Sequence, residues 1–324
     1  LLLASLALLF TALGQAQAKL MNVLFIAVDD LRPELGCYGV DYAQSPNIDR
    51  LAKRGMRFTN HFVQVPTCGA SRYAMLTGRS PVSTSFTQGN NAFYAGPTAL
   101  SPEILPGAQS MPELFKRSGY HTALVGKISH TADGRVYEYN GRGDGRDEIP
   151  NAWTEMSTPY GSWKRGWGIF FAYANGVHRE DGTGMKNLID FTVEKDTDLP
   201  DGQMAEHATT RLHRLAKGDK PFFMGLGFFK PHLPFVAPKQ DWEAFKNAAV
   251  PPPPFPKKNK TAYWHSSGEF FKYNFPYPKK PLSVENVINA RRAYLACVRY
   301  TDRQIGKVLD TLDATGLSDS TIVV

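Results

Sequence analysis

The sequence predicts an α/β fold in which a mixed or mostly parallel sheet carries helices on both faces. Continuous apolar runs at residues 22–28 and 221–228 lack the alternation of a half-exposed strand, and such runs are typical of strands covered on both faces. Segments with helical caps or helical periodicity separate the runs, so strands and helices alternate along the chain. In folds of this class, ligands bind at the carboxyl ends of the strands.

The first half of the chain contains two capped helices. Ser45 and the proline after it begin a helix that stops at Gly55, and proline is favoured there because an early helical N–H has no intrahelical partner. Ser110 begins a second helix, with Glu113 three residues on in the capping pattern. A strand at 121–125 follows directly.

The second half continues the alternation. A helix at about 203–216 precedes the apolar strand, and apolar residues at three- and four-residue steps predict a long helix over 285–312. The β-branched residues of 321–324 predict a final strand. Irregular stretches rich in glycine and aromatic residues lie between these elements, either as loop decoration or as walls of a substrate pocket. They cover residues 86–106, 137–184 and 250–281.

The amino terminus has the features of a targeting segment. An apolar stretch over 1–13 is too short to span a bilayer and runs into an Ala-x-Ala cleavage pattern at 16–18. We therefore expect a signal peptide over 1–18, a folded domain over 19–324 and no stable membrane anchor. The expected location is secreted or periplasmic, or lysosomal if the host is an animal. The alternative is a buried N-terminal helix.

Charge and cysteine content narrow the class of partner. The 37 Lys and Arg residues against 30 Asp and Glu give a formal net charge of +7, which suits an anionic substrate. The basic residues are scattered along the chain, which argues against nucleic acid. Three cysteines do not fill a disulfide framework. Cys37 and Cys297 are either buried hydrophobic residues or a pair.

Asp29 and Asp30 directly follow the first apolar run. Two carboxylates at a strand end repel each other and need a positive partner. A hard divalent cation with oxygen ligands from both acids satisfies that need, although the pair alone also fits the cap of a turn. Asp29 and Asp30 are therefore candidate metal ligands.

The segment Cys68-Gly-Ala-Ser-Arg72 opens a helix-like stretch that ends in Leu-Thr-Gly-Arg79. A cysteine at a helix start with an arginine one turn along is a candidate reactive thiolate, because both features favour negative charge. The alternative is a buried cysteine. The spacing Cys-x-Ala-x-Arg followed by Leu-Thr-Gly-Arg resembles the signature of type I sulfatases, in which the cysteine is oxidised to formylglycine. The resemblance implies this modification for Cys68 and makes position 68 a third candidate metal ligand.

Two further segments resemble the same family in the same order. Gly126-Lys127-Ile128-Ser129-His130 is similar to its Gly-Lys-x-x-His segment, whose lysine binds the sulfate and whose histidine contacts the formylglycine. Residues 229–235, Phe-Lys-Pro-His-Leu-Pro-Phe, are similar to the Lys-Pro-His-x-Pro-Phe segment of iduronate-2-sulfatases. Residues 294–306 resemble the family helix that precedes its last metal-binding strand. The likeness covers nearly all of 19–324.

This resemblance implies an alkaline-phosphatase-like fold and a sulfuric ester hydrolase that acts on a sulfated sugar. It implies one divalent cation, Ca²⁺, held by Asp29 and Asp30, and a formylglycine-generating maturation enzyme as a partner. Arg72 would steady the hydrated aldehyde at position 68.

The remaining catalytic roles follow from the same resemblance and from the needs of sulfate ester hydrolysis. Lys127 would neutralise a sulfate oxygen as a point charge. His232 would act as general acid on the leaving alcohol, and His130 would orient the nucleophile.

The sequence departs from the family pattern in two places. Ala70 stands where the best-known motif has proline, which leaves the maturation route open. The family's remaining metal ligands, an Asp followed by His or Asn and a further Lys, come just after a strand like 321–324. We therefore expect that the domain over 19–324 is truncated at its C-terminus, with an incomplete cation site and without the smaller C-terminal subdomain.

The alternatives come from three classes. A choline- or aryl-sulfatase is the nearest one, because the pocket loops do not identify a sugar. A phosphatase or phosphonate hydrolase of the same superfamily would normally carry Thr or Ser at position 68. A non-catalytic carbohydrate-binding relative would have no formylglycine. Cys68 together with Arg72 disfavours the last two classes.

Overall fold

Parallel strands form the centre of the protein. The computed structural model describes residues 20–80, 89–101, 107, 109–255 and 267–324. The strands in these residues are β1 (Asn22–Val28), β2 (His121–Gly126), β3 (Glu155–Met156), β4 (Ile189–Asp190), β5 (Phe222–Phe228), β6 (Phe235–Val236) and β7 (Thr321–Val323). Five of them form one parallel sheet in the order β3, β2, β5, β1, β7. β4 and β6 pair separately. The predicted mostly parallel sheet is therefore confirmed.

The helices of the described residues lie between these strands along the chain, singly or in succession. They are α1 (Pro46–Arg54), α2 (Cys68–Thr77), α3 (Met111–Arg117), α4 (Gly166–Phe170), α5 (Pro200–Leu215), α6 (Lys239–Glu243) and α7 (Val284–Ala314). Their bounds agree with the predicted helices to within a few residues. The short α4 and α6 are exceptions, since α4 lies in a stretch predicted to be irregular and no helix was predicted at the position of α6.

Two helix starts show different ways of satisfying the first free N–H groups. The Ser110 hydroxyl accepts a hydrogen bond from the Glu113 N–H at 3.4 Å, as the sequence predicted. Ser45 does not cap α1 with its side chain. The buried Asp302 carboxylate of α7 accepts from the Ile48 N–H at 2.8 Å instead. A long-range contact has replaced the local cap, and it ties α1 to α7.

Helices cover both faces of the sheet, as predicted. On one face Leu24 lies in a buried cluster with Leu212 of α5 and Val308 of α7. On the other face Phe223 stacks on Phe115 of α3, with ring centroids 4.6 Å apart. Full burial of an apolar side chain of this size contributes about 2 kcal/mol. The continuous apolar runs of β1 and β5 therefore supply core residues to both faces.

An ion-pair network fixes α7 against α6 and against the turn before α5. Asp241 is fully buried and pairs with Arg299 and Arg303. Asp196 pairs with Arg303 and Lys307, each at 2.7 Å. Burial alone would raise the pKa of Asp196, but hydrogen bonds from Arg303 and Lys307 lower it to about 2.

Two predictions about the chain ends and cysteines have different outcomes. The predicted signal peptide over 1–18 lies outside the described residues. Within the described ranges, every helix is too short or too polar to cross a lipid bilayer. Cys37 and Cys297 are both free thiols, and Cys297 is fully buried. The two cysteines therefore do not pair in this structure.

Candidate active site

The predicted site residues converge at the carboxyl ends of β1, β2 and β5. Asp29 and Asp30 follow β1, Lys127 follows β2, and the segment with His232 follows β5. The strands approach closely here, since a Cβ atom at Gly227 would lie 2.0 Å from the main-chain oxygen of Lys127. Glycine is required at that position because any side chain would displace the Lys127 backbone.

Asp29 is held by two cations. Its carboxylate forms an ion pair with Lys127 and lies 3.8 Å from a guanidinium nitrogen of Arg72. All three side chains are buried. Burial alone would raise the pKa of Asp29, but the charges of Lys127 and Arg72 hold it far below its ordinary range. Asp29 is therefore ionised.

Arg72 also connects α2 to the end of β2. Its Nη1 donates to the main-chain oxygens of Lys127 and Ile128 at 2.6 and 3.0 Å. The planar guanidinium has several donors in a fixed geometry, so one side chain binds both carbonyls and still faces Asp29. Arg72 thus sets the position of the Lys127 segment relative to the residue at 68.

Cys68 is the first residue of α2, and its sulfur lies 3.3 Å from Asp29 Oδ1. Burial raises the pKa of the Cys68 thiol to about 12, with Asp29 and Asp30 adding to the effect. The prediction of a reactive thiolate is therefore wrong. The charges of Lys127 and Arg72 favour the thiolate, but the loss of water on burial, helped by the two carboxylates, outweighs them. Cys68 is a neutral thiol that donates to Asp29.

The residues after Cys68 are tightly enclosed. Ala70 is fully buried. A Cβ atom at Gly69 would lie 2.3 Å from the main chain of Asn90, and the Gly69 N–H donates to the Asn90 side-chain oxygen at 3.0 Å. Small residues at 69 and 70 allow α2 to pack against this loop.

Asp29, Asp30 and Cys68 form a candidate cation site. One potential ligand atom from each lies within 4.8 Å of the others. Asp30 has a left-handed backbone (φ 57°), which turns its half-exposed carboxylate towards the same cleft. Loss of water raises the pKa of Asp30, and the Asp29 carboxylate adds to this. Two carboxylate oxygens fit a hard divalent cation, which takes 6–8 oxygen ligands in the case of Ca²⁺. These residues supply part of such a ligand set.

His232 faces carboxylates with one ring nitrogen and the main chain with the other. Its Nδ1 lies 2.7 Å from the Leu233 carbonyl oxygen, which only accepts, so Nδ1 carries a proton. Its Nε2 lies 3.7 Å from Asp30 and 3.8 Å from Glu269. The ring also packs on Phe170, with centroids 4.5 Å apart. His232 therefore presents Nε2 to the cleft.

His130 is buried in the same region and is neutral. Its ring packs against Trp167, with centroids 5.5 Å apart. Burial lowers the pKa of His130 well below its ordinary value, and the charges of Lys127 and Arg72 lower it further. No hydrogen-bond partner for Nδ1 occurs among the described residues. Among the described residues, the Cys68 sulfur is hydrogen-bonded to Asp29 and not to His130.

Two residues of the site were not predicted. Phe170 of α4 lies under the Lys127 ammonium, 4.0 Å from the ring centroid to Nζ. Glu269 reaches His232 from a stretch predicted to be either decoration or a pocket wall. Arg179 holds the other oxygen of Glu269 at 2.9 Å. No sequence pattern marks Phe170 or Glu269 individually, because each lies in an irregular stretch. The sequence predicts only that these two stretches are loop decoration or pocket walls.

The chain is similar to a known family and to curated proteins. The profile described as Sulfatase matches residues 21–324. The mouse (Mus musculus) protein named iduronate 2-sulfatase is 32% identical over 324 residues, which is 96% of this chain and 55% of the relative. The chain therefore spans about half the length of the curated relatives it matches.

Two solved structures share the fold. The phosphonate monoester hydrolase of Agrobacterium radiobacter has a TM-score of 0.64 at 18% identity, covering 94% of this chain and 61% of that one. A protein solved in complex with its substrate D-glucosamine-2-N,6-O-disulfate has a TM-score of 0.60 at 21% identity, covering 94% and 64%. At these identities, the similarity supports the fold alone.

Proposed function

The chain belongs to the sulfatase family, and from that premise we propose that the whole protein hydrolyses the sulfate ester of a sulfated sugar. The observation that carries this proposal is the contact of the Cys68 sulfur with Asp29, where Lys127 and Arg72 also converge. A sulfate monoester brings negative charge that is spread over its oxygens. Buried cations at a fixed position stabilise such charge more strongly than water does.

Position 68 would carry the nucleophile as formylglycine. The hydrated aldehyde supplies two hydroxyls, one to attack sulfur and one whose deprotonation expels sulfate and restores the carbonyl. A thiol that stays protonated beside Asp29 is a poor nucleophile, which supports a modified residue in its place. Arg72, fixed to the main chain of Lys127, would steady this group.

Lys127, His130 and His232 would have the remaining catalytic roles. Lys127 would bind a sulfate oxygen while it remains beside Asp29. His232, with both ring nitrogens protonated, would donate the Nε2 proton to the leaving sugar oxygen and keep its Nδ1 proton on the Leu233 carbonyl. His130, which is neutral and buried, would orient the nucleophile.

A divalent cation, Ca²⁺ by family resemblance, would bind Asp29 and Asp30 next to position 68. It would supply positive charge for the sulfate and for the nucleophile. In β7 the parallel register pairs Val323 with Leu24. Any residues that continue this strand would run beside Val28 and Asp29, where a cation needs further oxygen ligands.

The substrate class rests on the motif at residues 229–235 and on the mouse relative named iduronate 2-sulfatase. We propose a sulfated uronic-acid glycan, with a choline or aryl sulfate as the alternative. The Agrobacterium radiobacter structure is named a phosphonate monoester hydrolase, so a phosphonate or phosphate ester is a second alternative. We also propose a maturation enzyme as partner and a secreted or periplasmic location.

The test uses the full-length protein purified from its native host. It would be assayed with a 2-O-sulfated iduronate oligosaccharide, an aryl sulfate, choline sulfate and a phosphonate monoester. We expect sulfate release from the oligosaccharide to be the fastest reaction and to be lost in Cys68→Ala. The matched control is Cys37→Ala, since Cys37 is a free thiol outside the site.

The outcomes separate the alternatives. Fastest release from choline sulfate or the aryl sulfate would select the first alternative, and fastest hydrolysis of the phosphonate ester the second. Sulfate release that persists in Cys68→Ala would contradict the nucleophile. Activity on none of the esters would support a non-catalytic role.

A further inference from the structure

The segment that carries His232 is anchored from behind by a carboxylate outside the active site. Asp201 lies in the first turn of α5 and is buried. Its Oδ1 accepts hydrogen bonds from the main-chain N–H groups of Phe229 and Lys230, at 2.6 and 3.4 Å. These are the residues at which the chain leaves β5 and turns towards His232. One carboxylate oxygen thus fixes the start of the segment.

Lys230 fixes the rest of the same segment from inside. Its ammonium is buried and donates to the carbonyl oxygens of His232 and Pro234, at 3.2 and 2.6 Å. The Thr301 hydroxyl of α7 donates to the Lys230 carbonyl at 3.0 Å. Because the Lys230 ammonium binds two carbonyl oxygens of its own segment, it holds residues 230–234 in a closed loop.

Asp201 and Lys230 also balance each other electrostatically. Burial raises the pKa of Asp201 to about 6, against the charge of Lys230 and the two N–H groups. Asp201 Oδ2 has no hydrogen-bond partner among the described residues. A buried carboxylate with an unused oxygen is costly, so stability alone is a weak reason for it. Control of the loop geometry is a stronger one.

The geometry points to Asp201 and Lys230 as positioning residues that together set the place of His232. The hydrogen bonds of their side chains go to the main chain of residues 229–234 rather than to Asp29 or Cys68. With the loop fixed, Nδ1 of His232 meets the Leu233 carbonyl and Nε2 faces the cleft. This inference rests on the proposed function, in which His232 protonates the leaving sugar.

Displacement of His232 should change the rates of hydrolysis of two esters to different extents. A general acid matters most for a poor leaving group, and a displacement of about 1 Å can cost on the order of 10²-fold in rate. In the full-length protein, Asp201→Ala should lower kcat/KM for a sugar sulfate at least about tenfold more than for an activated aryl sulfate. Lys230→Met, which keeps the length of the side chain without the charge, should act in the same direction.

Two matched variants isolate the effect. Asp201→Asn keeps an oxygen that can accept the Phe229 and Lys230 N–H groups, so the ratio of the two rates should remain near that of wild type. Asp241→Ala removes an equally buried carboxylate that holds α6 to α7 away from the His232 segment. It should lower stability and leave the ratio unchanged. Equal losses for both substrates in Asp201→Ala and Lys230→Met would overturn the inference.

A second readout does not depend on activity. In nitrogen-labelled protein, the His232 signal, assigned by its loss in His232→Gln, should show a proton on Nδ1 both when the ring is neutral and when Nε2 is protonated as well. Asp201→Ala and Lys230→Met should mix the tautomers, while Asp241→Ala should not. An unchanged His232 signal in both variants would contradict the positioning role. If wild type hydrolysed neither ester, that result would contradict the proposed function, and the signal would still test the positioning role.

Discussion

Lys127 forms its ion pair with Asp29 across the end of β5, because β5 lies between β2 and β1 in the sheet. The side chain spans a neighbouring strand and reaches a carboxylate on the strand beyond it. Phe170 covers the ammonium on one side. The charge balance of the site is therefore shared by segments that are far apart in sequence.

Loss of this ion pair should affect both stability and turnover. In Lys127→Ala, Asp29 loses its ion-pair partner and keeps the more distant Arg72 at 3.8 Å. Breaking a buried pair on one side costs about 3 kcal/mol or more, so the melting temperature should fall. The rate should fall on the order of 10²-fold for a sugar sulfate and an aryl sulfate alike, because sulfate must be neutralised whatever alcohol leaves. Differential scanning calorimetry and steady-state kinetics measure the two effects.

His232→Ala should show the opposite kinetic pattern. The general acid serves the leaving group, so the sugar sulfate should lose on the order of 10²- to 10⁴-fold and the activated aryl sulfate far less. Steady-state kinetics on the two esters provide the measurement, with Lys127→Ala as the comparison. Equal losses in His232→Ala would leave that histidine as a sulfate-binding group only.

The modification at position 68 is directly measurable. Mass spectrometry of the peptide 58–72 from the native host should show the aldehyde or its hydrate, at the Cys68 position. The control is the same peptide from Arg72→Ala protein digested to a comparable fragment, where we expect less modification if the arginine is part of the recognition motif. Wild-type enzyme that is active while position 68 is entirely cysteine would exclude the mechanism.

The cation site predicts a link between metal content and rate. Asp30→Asn in the full-length protein removes one charge from the proposed oxygen site and should reduce bound calcium together with turnover. Asp144→Asn is the matched control, because Asp144 is an exposed carboxylate outside the site. Elemental analysis and activity assays provide the comparison. Wild-type metal content and rate in Asp30→Asn would place the cation elsewhere.

The ion pairs of Asp196 predict a dependence of stability on pH. Its pKa in the folded protein is about 2, below the ordinary value of 3.8, so the folded state binds the proton more weakly than the unfolded state. The stabilisation is therefore complete above pH 3.8 and is lost as the pH falls towards 2. Asp196→Asn should reduce the free energy of unfolding by about 1–2 kcal/mol at neutral pH, allowing for solvent screening.

The measurement is chemical denaturation of both proteins at a series of pH values. The difference between wild type and Asp196→Asn should shrink as the pH drops below 3.8. The exposed Asp41 offers a control, and Asp41→Asn should show a small difference at every pH. A constant difference for Asp196→Asn across the series would mean that packing, not charge, accounts for the loss.

Sequence patterns predicted the strands and helices whose residues form a continuous apolar run or a regular helical period. β1 and β5 are unbroken apolar runs, and α7 has a sustained helical period, so each signal extends over several residues. The predicted strand ends place Asp29 and Lys127 at the same edge of the sheet. A parallel sheet brings those ends together whatever the order of the strands.

Features that depend on one distant contact were not predictable. The cap of α1 comes from Asp302, and Glu269 and Asp201 approach the His232 segment from separate parts of the chain. Each contact is set by tertiary packing and leaves no periodic trace. The thiolate prediction for Cys68 failed for the same reason, because the burial that mainly raises its pKa comes from residues that are close in space and distant in sequence.

The packing of α2 has a consequence for when Cys68 could be modified. Ala70 is fully enclosed and Gly69 lies against the Asn90 backbone, so no extended peptide remains around Cys68 once α2 has docked. An enzyme that oxidised Cys68 would have to bind such a peptide in its own cleft. The proposed modification would therefore come before docking. A chain that folded first would keep its thiol, and the ratio of the two rates would then decide what fraction of the molecules carries formylglycine.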